Sequence, residues 1–183
     1  IGKEQSAKLQ ENLILSHCCA VGEPLNIETV RAMMLLRANA LAKGHSGIRR
    51  ELVEALIAML NCGVYPVVPR QGSLGASGDL APLSHMALVL IGRGEATYQG
   101  VRMPGKEAMD KAGIPTHQLL AKEGLALING TQCMTAIGAL AWYDLNRAAQ
   151  LADITAGLTL QALTGLVSAF DERLHALRPH PGQ

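Results

Sequence analysis

The sequence predicts an all-α, mainly helical fold. Apolar residues recur every three or four positions along most of the chain, which is the spacing of an amphipathic helix. The composition is 49% hydrophobic but only 3% aromatic, and most of the remaining apolar residues are Ala, Leu, Ile, Val and Met. This mixture favours closely packed helices over a β-sandwich. We therefore predict one helical domain over residues 1–183, a long-helix bundle with a short hairpin insert at 94–115.

Capping residues mark the ends of several predicted helices. Asn26 is a good N-cap and Gly44 a good C-terminal stop for the second helix, while Asp79 and Thr116 are placed to cap later ones. The predicted helices are 5–21, 27–43, 48–61, 80–91, 105–112, 116–127 and 131–175.

Between the helices, proline and glycine predict extended segments and turns. Tyr65–Pro69 must be extended, because a residue before proline avoids the helical region. Residues 95–103, divided by Gln99-Gly100, are typical of a short hairpin. We expect the insert at 94–115 to be the most surface-like part of the chain. The charges of Arg49, Arg50, Glu51 and Glu54 are expected on a solvated face or at a subunit contact, not in a site.

Charge and cysteine spacing exclude several classes of partner. The net charge is +1 without a basic run, which argues against nucleic acid and anionic membranes. The apolar segment 133–170 carries Asp144, Arg147 and Asp153, so we do not predict a membrane span. The four cysteines lack metal-ligand spacing, which predicts reduced, mostly buried thiols, no metal site and a cytoplasmic protein. The first residue is isoleucine rather than methionine, and we expect a fragment of a longer chain.

A glycine-rich loop at residues 72–79 leads directly into an apolar helix. It delivers Ala76-Ser77-Gly78 to a helix N-terminus, where unpaired N–H groups favour negative charge. The loop lacks the Gly-Lys-Ser/Thr ending of a P-loop, and its glycines do not fit the dinucleotide-binding pattern. Ser77 does not lie in the Gly-x-Ser-x-Gly of a nucleophile elbow. A structural loop capped by Asp79 remains an alternative.

Residues 72–85, Gly-Ser-Leu-Gly-Ala-Ser-Gly-Asp-Leu-Ala-Pro-Leu-Ser-His, resemble the signature of the aromatic amino acid ammonia-lyases and aminomutases. The resemblance implies that Ala76-Ser77-Gly78 cyclises autocatalytically and dehydrates to 4-methylidene-imidazol-5-one (MIO), a strong electrophile. Gly78 would supply an unhindered backbone nitrogen, and Ser77 would lose its hydroxyl. Asp79 is a candidate for assisting ring closure.

Two further segments gain a role from the same resemblance. Leu13 and His17 lie on one predicted helical face, and a lone histidine there is more often a core residue. However, Ser16-His17 is similar to the substrate-sorting dipeptide of the histidine-specific members, which makes His17 a partner for a substrate imidazole. Asn129 in Asn-Gly-Thr would by itself be a turn residue. In the family this motif brings the amide beside the MIO ring and the bound amino acid.

The resemblance covers essentially the whole chain and implies loss of ammonia from L-histidine to give trans-urocanate. It also implies a homotetramer of helical chains, with the catalytic base and further site residues outside residues 1–183. A fragment alone is therefore expected to be inactive or nearly so.

Three alternatives remain open. A tyrosine or phenylalanine ammonia-lyase or aminomutase would share the loop, although Ser16-His17 argues against it. A non-catalytic helical assembly fragment would keep the loop without the chemistry. A phosphate-binding module is the weakest, because the loop contains no lysine or arginine.

Overall fold

A computed structural model describes residues 2–74 and 78–182 and confirms the mainly helical class. Eight α-helices are described: α1 (Lys3–His17), α2 (Ile27–Ala42), α3 (Arg50–Cys62), α4 (Leu80–Leu90), α5 (Gly105–Lys111), α6 (Glu123–Ile128), α7 (Gln132–Ala162) and α8 (Glu172–Ala176). A 3₁₀ helix occupies Val167–Phe170. The described strands are β1 (Val21–Pro24), β2 (Val64–Pro66), β3 (Pro69–Gln71), β4 (Glu95–Tyr98) and β5 (Val101–Pro104).

The strands form two small antiparallel sheets within the described residues. β1 pairs with β3, with Val21 opposite Gln71 and Pro24 opposite Pro69. In the second sheet, of strand order β2-β4-β5, the hairpin at 95–103 is confirmed. β2 pairs with β4, with Tyr65 opposite Thr97. The prediction that the insert at 94–115 is the most surface-like part of the chain is wrong. The pairing of β4 with β2 places the insert against the core. Its buried apolar residues are Ala96, Met103, Ala108, Met109 and Ile114.

The chain divides into two compact units, Ile1–Leu140 and Ala141–Gln183. The core of the first surrounds α4, which packs against α1, α5 and α6. Nearly every residue of α4 is buried, which explains why its sequence shows little amphipathic pattern. The largest fully buried side chains are Ile14, Met33, Met34, Leu41, Leu52, Leu56, Met59, Leu83, Met86, Leu90, Met109 and Leu127.

The second unit exposes a row of large apolar side chains along the later part of α7 and the segments after it. Trp142 is 67% exposed and Leu145 68%. By length and composition alone the helical stretch Glu123–Ala162 could cross a membrane, a test that the core helices of soluble proteins also pass. The predictions of a single domain and of no membrane contact stay predictions.

Several element ends differ from the predictions. α1 ends at His17 rather than at residue 21, because the next residues must become extended to pair with β3. The helix predicted from Thr116 begins only at Glu123, since Lys122 adopts a left-handed conformation with φ 71°. The last long helix ends at Ala162, just before Thr164 at φ 51°.

Local capping follows the sequence more closely. The Asn26 side chain accepts a hydrogen bond of 2.9 Å from the N–H of Thr29, as predicted for an N-cap. Gly63 ends α3 in the left-handed conformation. The prediction of mostly buried thiols is wrong, since Cys19 and Cys62 are exposed, while Cys133 is buried.

A buried ion pair joins the start of α3 to the start of α6. Glu123, whose side chain is 2% exposed, accepts bonds of 2.7 and 2.8 Å from the Arg49 guanidinium and one of 2.6 Å from the N–H of Leu120. Arg49 was predicted on a solvated face, but in the structure it also binds the buried carboxylate of Glu123. Burial acts to raise the pKa of Glu123, but the hydrogen bonds from Arg49 and from backbone N–H groups outweigh it and hold the pKa below its usual value of 4.5.

This pair should make stability depend on pH. Because the pKa of Glu123 is lower in the folded than in the unfolded chain, its contribution is present above the unfolded value. It is lost as the pH falls through the folded pKa. We expect Glu123→Gln to destabilise the protein at pH 7 by about 2 kcal/mol, because Arg49 is partly exposed, and to flatten the loss of stability as the pH falls below the usual glutamate pKa of 4.5.

Urea unfolding at a series of pH values would measure this effect. Glu54→Gln is the matched control, because Glu54 pairs with Arg50 on the surface and should change stability by less than about 1 kcal/mol. Equal pH profiles for Glu123→Gln and the parent protein would contradict the prediction.

Candidate active site

The pairing of β1 with β3 brings the end of α1 to the glycine-rich loop. Gly72 follows β3 directly, and a Cβ atom added to it would stand 2.6 Å from the Cβ of Ala20. No side chain fits at that distance. Glycine at position 72 therefore allows the segment after His17 to lie against the start of the loop.

A cavity of about 280 Å³ lies where these segments meet. Its lining residues are His17, Cys19, Gly72, Leu74, Gly78, Leu80 and Ala81. The structure thus brings together His17 and Gly78, which the sequence predicts in one site. Ala76 and Ser77 lie outside the described residues. Ser16 is exposed and does not line the cavity.

The backbone of α1 fixes the tautomer of His17. Its Nδ1 lies 2.8 Å from the carbonyl oxygen of Leu13. Because a carbonyl oxygen only accepts, Nδ1 must carry the proton in this bond. In the neutral ring Nε2 is then an acceptor. Ser16 supports this arrangement: its hydroxyl donates to the same carbonyl at 2.9 Å and lies 3.1 Å from Nδ1.

At the other side of the site, Gly78 lies against the Asn-Gly-Thr break between α6 and α7. Gly78 has φ +85°, and an added Cβ would stand 2.8 Å from the carbonyl carbon of Gly130 and closer still to its oxygen. The next residue fixes the contact, since the N–H of Asp79 donates to the Gly130 carbonyl at 2.7 Å. Glycine at position 78 is thus required both by backbone conformation and by the close approach.

Asp79 occupies the N-cap position of α4, but its side chain does not cap that helix. The prediction of a capping role there is wrong. The fully buried carboxylate instead accepts a bond of 2.6 Å from the Ser73 hydroxyl and one of 2.8 Å from the N–H of Met134. Met134 is in the first turn of α7, where N–H groups have no partner within the helix. Asp79 therefore caps the long helix and complements the positive end of its dipole.

The same carboxylate affects a neighbouring thiol. Burial first, and then the charge of Asp79, raise the pKa of Cys133 to about 11. Cys133 is therefore a neutral thiol at physiological pH and packs as an apolar residue beside the site.

Asn129 is the last residue before the break and ends α6. Its side chain is exposed and does not line the described cavity, but the adjoining Gly130 touches Gly78. The carbonyl oxygen of Asn129 accepts a bond of 2.9 Å from Arg37, a residue of α2 that is only 4% exposed. Sequence reasoning missed Arg37, because α2 carries other charges equally close to its apolar stripe and no local pattern distinguishes Arg37 from them.

A larger cavity, of about 740 Å³, contains none of the predicted site residues. Its charged side chains pair with one another, because Glu11 lies 3.1 Å from Lys8 and 2.7 Å from Arg93. Within the described ranges, no group of three or more His, Cys, Asp or Glu side chains is placed to hold a metal ion. The predicted site residues His17 and Gly78 line the smaller cavity instead.

Known proteins resemble this chain along its whole length. A family model described as aromatic amino acid lyase matches residues 1–183. Histidine ammonia-lyase of Alkaliphilus metalliredigens is 63% identical over 183 residues, which are 100% of this chain and 36% of that protein. This chain therefore spans about a third of the length of the curated relatives that it matches.

Solved structures give the same result. The crystal structure of histidine ammonia-lyase from Trypanosoma cruzi is similar with a TM-score of 0.93 and 42% identity, over 100% of this chain and 36% of that one. Pantoea agglomerans phenylalanine aminomutase is similar with a TM-score of 0.92 and 38% identity, over 100% of this chain and 35% of that one.

The contact of Gly78 with Gly130 can be tested by a pair of substitutions. Gly78 and Gly100 both have positive φ, but an added Cβ at Gly100 meets nothing within 4 Å. We expect Gly100→Ala to cost about 1–2 kcal/mol of stability from backbone strain alone. Gly78→Ala should cost at least about 2 kcal/mol more, because the carbonyl of Gly130 must move. Denaturant unfolding measures both, and similar losses would show that the contact is not tight.

Proposed function

This chain belongs to the aromatic amino acid lyase family, and from that premise we propose that the protein containing it is a histidine ammonia-lyase. The proposed reaction removes ammonia from L-histidine without oxidation and leaves trans-urocanate. The convergence of His17 and Gly78 on one cavity carries the proposal, because these two residues belong to the segments that resemble the substrate-sorting dipeptide and the ring-forming tripeptide. The relatives named histidine ammonia-lyase support the same substrate.

The described residues fit the formation of MIO from Ala76, Ser77 and Gly78. In ring closure the Gly78 nitrogen bonds to the carbonyl carbon of Ala76, whose oxygen leaves as water. Loss of the Ser77 hydroxyl with its Cα hydrogen releases a second water. The tight turn at Gly78, held by the bond from Asp79 N–H to Gly130, suits this closure. Once formed, MIO supplies a strong electrophile that ordinary side chains cannot provide.

We assign roles in substrate binding to the side chains of this chain that belong to the predicted site or line its cavity. The unprotonated Nε2 of His17 accepts a hydrogen bond from the N–H of a substrate imidazole. Leu80, which is half-buried, lines the same cavity and offers an apolar surface beside the ring. We assign the Asn129 amide to the amino or carboxylate group of the substrate, since it offers both a donor and an acceptor.

Asp79 and the first turn of α4 contribute through electrostatics. Asp79 holds the turn in which the ring closes, because both its backbone N–H and its carboxylate are engaged. The N-terminal N–H groups of α4 stabilise negative charge that develops at the tripeptide. The catalytic base is assigned to a part of the longer protein outside this chain, and no metal enters the proposal.

We extend the proposal to assembly and location. The exposed apolar side chains of Ala141–Gln183 support packing against other copies of the same protein, as a homotetramer. Exposed Cys19 and Cys62 are compatible with a reducing cytoplasm.

The tripeptide chemistry predicts a mass change. Peptide mass spectrometry across residues 71–93 should show the loss of two water molecules, in the longest natural form of the protein that contains this chain. Ser77→Ala should abolish the loss and reduce turnover of L-histidine by at least about 1,000-fold, because the electrophile is absent. An unmodified mass in an active parent protein would contradict the proposed chemistry.

The substrate assignment is tested at His17. We expect His17→Phe to lower kcat/KM for L-histidine at least about 100-fold, because the imidazole of the substrate loses its acceptor. His17→Gln keeps a side-chain hydrogen-bond acceptor, so we expect a smaller decrease in kcat/KM for L-histidine. Steady-state kinetics with L-histidine, L-tyrosine and L-phenylalanine would measure the shift. Unchanged turnover of L-histidine by His17→Phe would overturn the role assigned to His17. A parent protein that turns over L-tyrosine or L-phenylalanine but not L-histidine would instead favour the alternative lyase or aminomutase.

A further inference from the structure

Arg37 is a buried cation whose partners are all neutral. It is 4% exposed, and in the described ranges 2–74 and 78–182 no carboxylate forms an ion pair with it. Burial lowers its pKa to about 10, so it still carries its proton at neutral pH. Burying a guanidinium without a counter-ion is unfavourable unless its hydrogen bonds are well made. Apolar packing alone therefore does not account for a buried guanidinium at position 37.

The guanidinium spans the break between α6 and α7. Its Nη2 donates to the carbonyl oxygens of Ala126 and Asn129, the latter at 2.9 Å. Its Nη1 donates to the side-chain oxygen of Gln132, the first residue of α7, at 2.8 Å. Carbonyls at the end of a helix have no partner within it and carry the negative end of the dipole, so a planar cation suits them.

The break held in this way is the part of the chain that meets the ring-forming loop. A Cβ added to Gly130 would collide with Nη1 of Arg37 and with the Gln132 side chain, so Arg37 packs directly on Gly130. On its other side, Gly130 accepts the bond from Asp79 N–H at 2.7 Å and contacts Gly78. A continuous path of contacts therefore runs from Arg37 through Gly130 to the turn at Gly78.

We propose that Arg37 is a positioning residue: by clamping Ala126, Asn129 and Gln132 it fixes Gly130 against Gly78 and Asp79. It thereby sets the geometry in which the tripeptide cyclises and the direction of the Asn129 amide. This inference rests on the proposed function, since it concerns formation of the same ring. Among the described residues, Arg37 does not line the cavity.

Arg37→Lys is the most direct test, because lysine keeps the charge but loses the planar fork. In the longest natural form of the protein, we expect the folded variant to show a reduced fraction of peptide 71–93 that has lost two waters. We also expect kcat for L-histidine to fall about 10–100-fold. A purely structural role would instead lower the melting temperature while the folded protein kept complete ring formation and its parental kcat. That outcome would overturn the inference.

Arg31→Lys is the matched control, because Arg31 lies on the same helix but is exposed and contacts Tyr65. It should keep the parental ring fraction and kcat. If Arg37→Lys does not fold, Gln132→Met removes only one partner of the clamp and should lower ring fraction or kcat at least about 3-fold. Parental values in that variant would equally overturn the inference.

The parent protein separates this inference from the proposed function. A parent that neither loses two waters nor turns over L-histidine refutes the proposed function, and the positioning role fails with it. A parent that does both, beside variants of Arg37 and Gln132 that match it, refutes the positioning role alone.

Discussion

The contact between the turn at Gly78-Asp79 and the carbonyl of Gly130 is the constraint on which the site depends. It joins two segments about 50 residues apart through a backbone hydrogen bond of 2.7 Å. The buried carboxylate of Asp79 reinforces it by capping α7 at Met134. One residue thus orders the glycine-rich loop, the start of the central helix and the start of the longest helix. Because Gly78 and Asp79 are buried, moving this turn would leave the Asp79 carboxylate without its partners.

The opposite wall of the site depends on strand pairing. β1 and β3 are short, but their antiparallel pairing places the residues after α1 on Gly72 and so carries His17 to the cavity. The helix backbone then selects the tautomer, because Leu13 offers only an acceptor to Nδ1. Recognition of an imidazole at His17 would therefore follow from main-chain geometry rather than from a neighbouring charge. In the proposed function, specificity and ring formation would thus depend on separate parts of the fold.

Buried charges anchor α6 at both ends. Glu123 at its start pairs with Arg49, and Arg37 binds the carbonyls of Ala126 and Asn129 at its end. A helix of six residues has little intrinsic stability, so these tertiary bonds determine where it begins and ends. That explains why the predicted start of this helix at Thr116 was wrong, although its end near Leu127 was nearly correct. The position of Asn129 is consequently a property of the surrounding helices.

The sequence by itself determined the helical class, most helix positions, the N-cap at Asn26, the C-terminal stop at Gly44 and the 95–103 hairpin, and it predicted the candidate site residues. These depend on residues within a few positions of one another or on the glycine-rich motif. The tertiary structure decided what Asp79 caps, what Arg37 and Glu123 bind, and that Ile14 rather than Leu9 is fully buried in α1. Arg37 and Asn129 are 92 residues apart, and periodicity contains no information on such a pair. Buried polar groups must find partners wherever the folded chain supplies them, so only the assembled fold could assign these bonds.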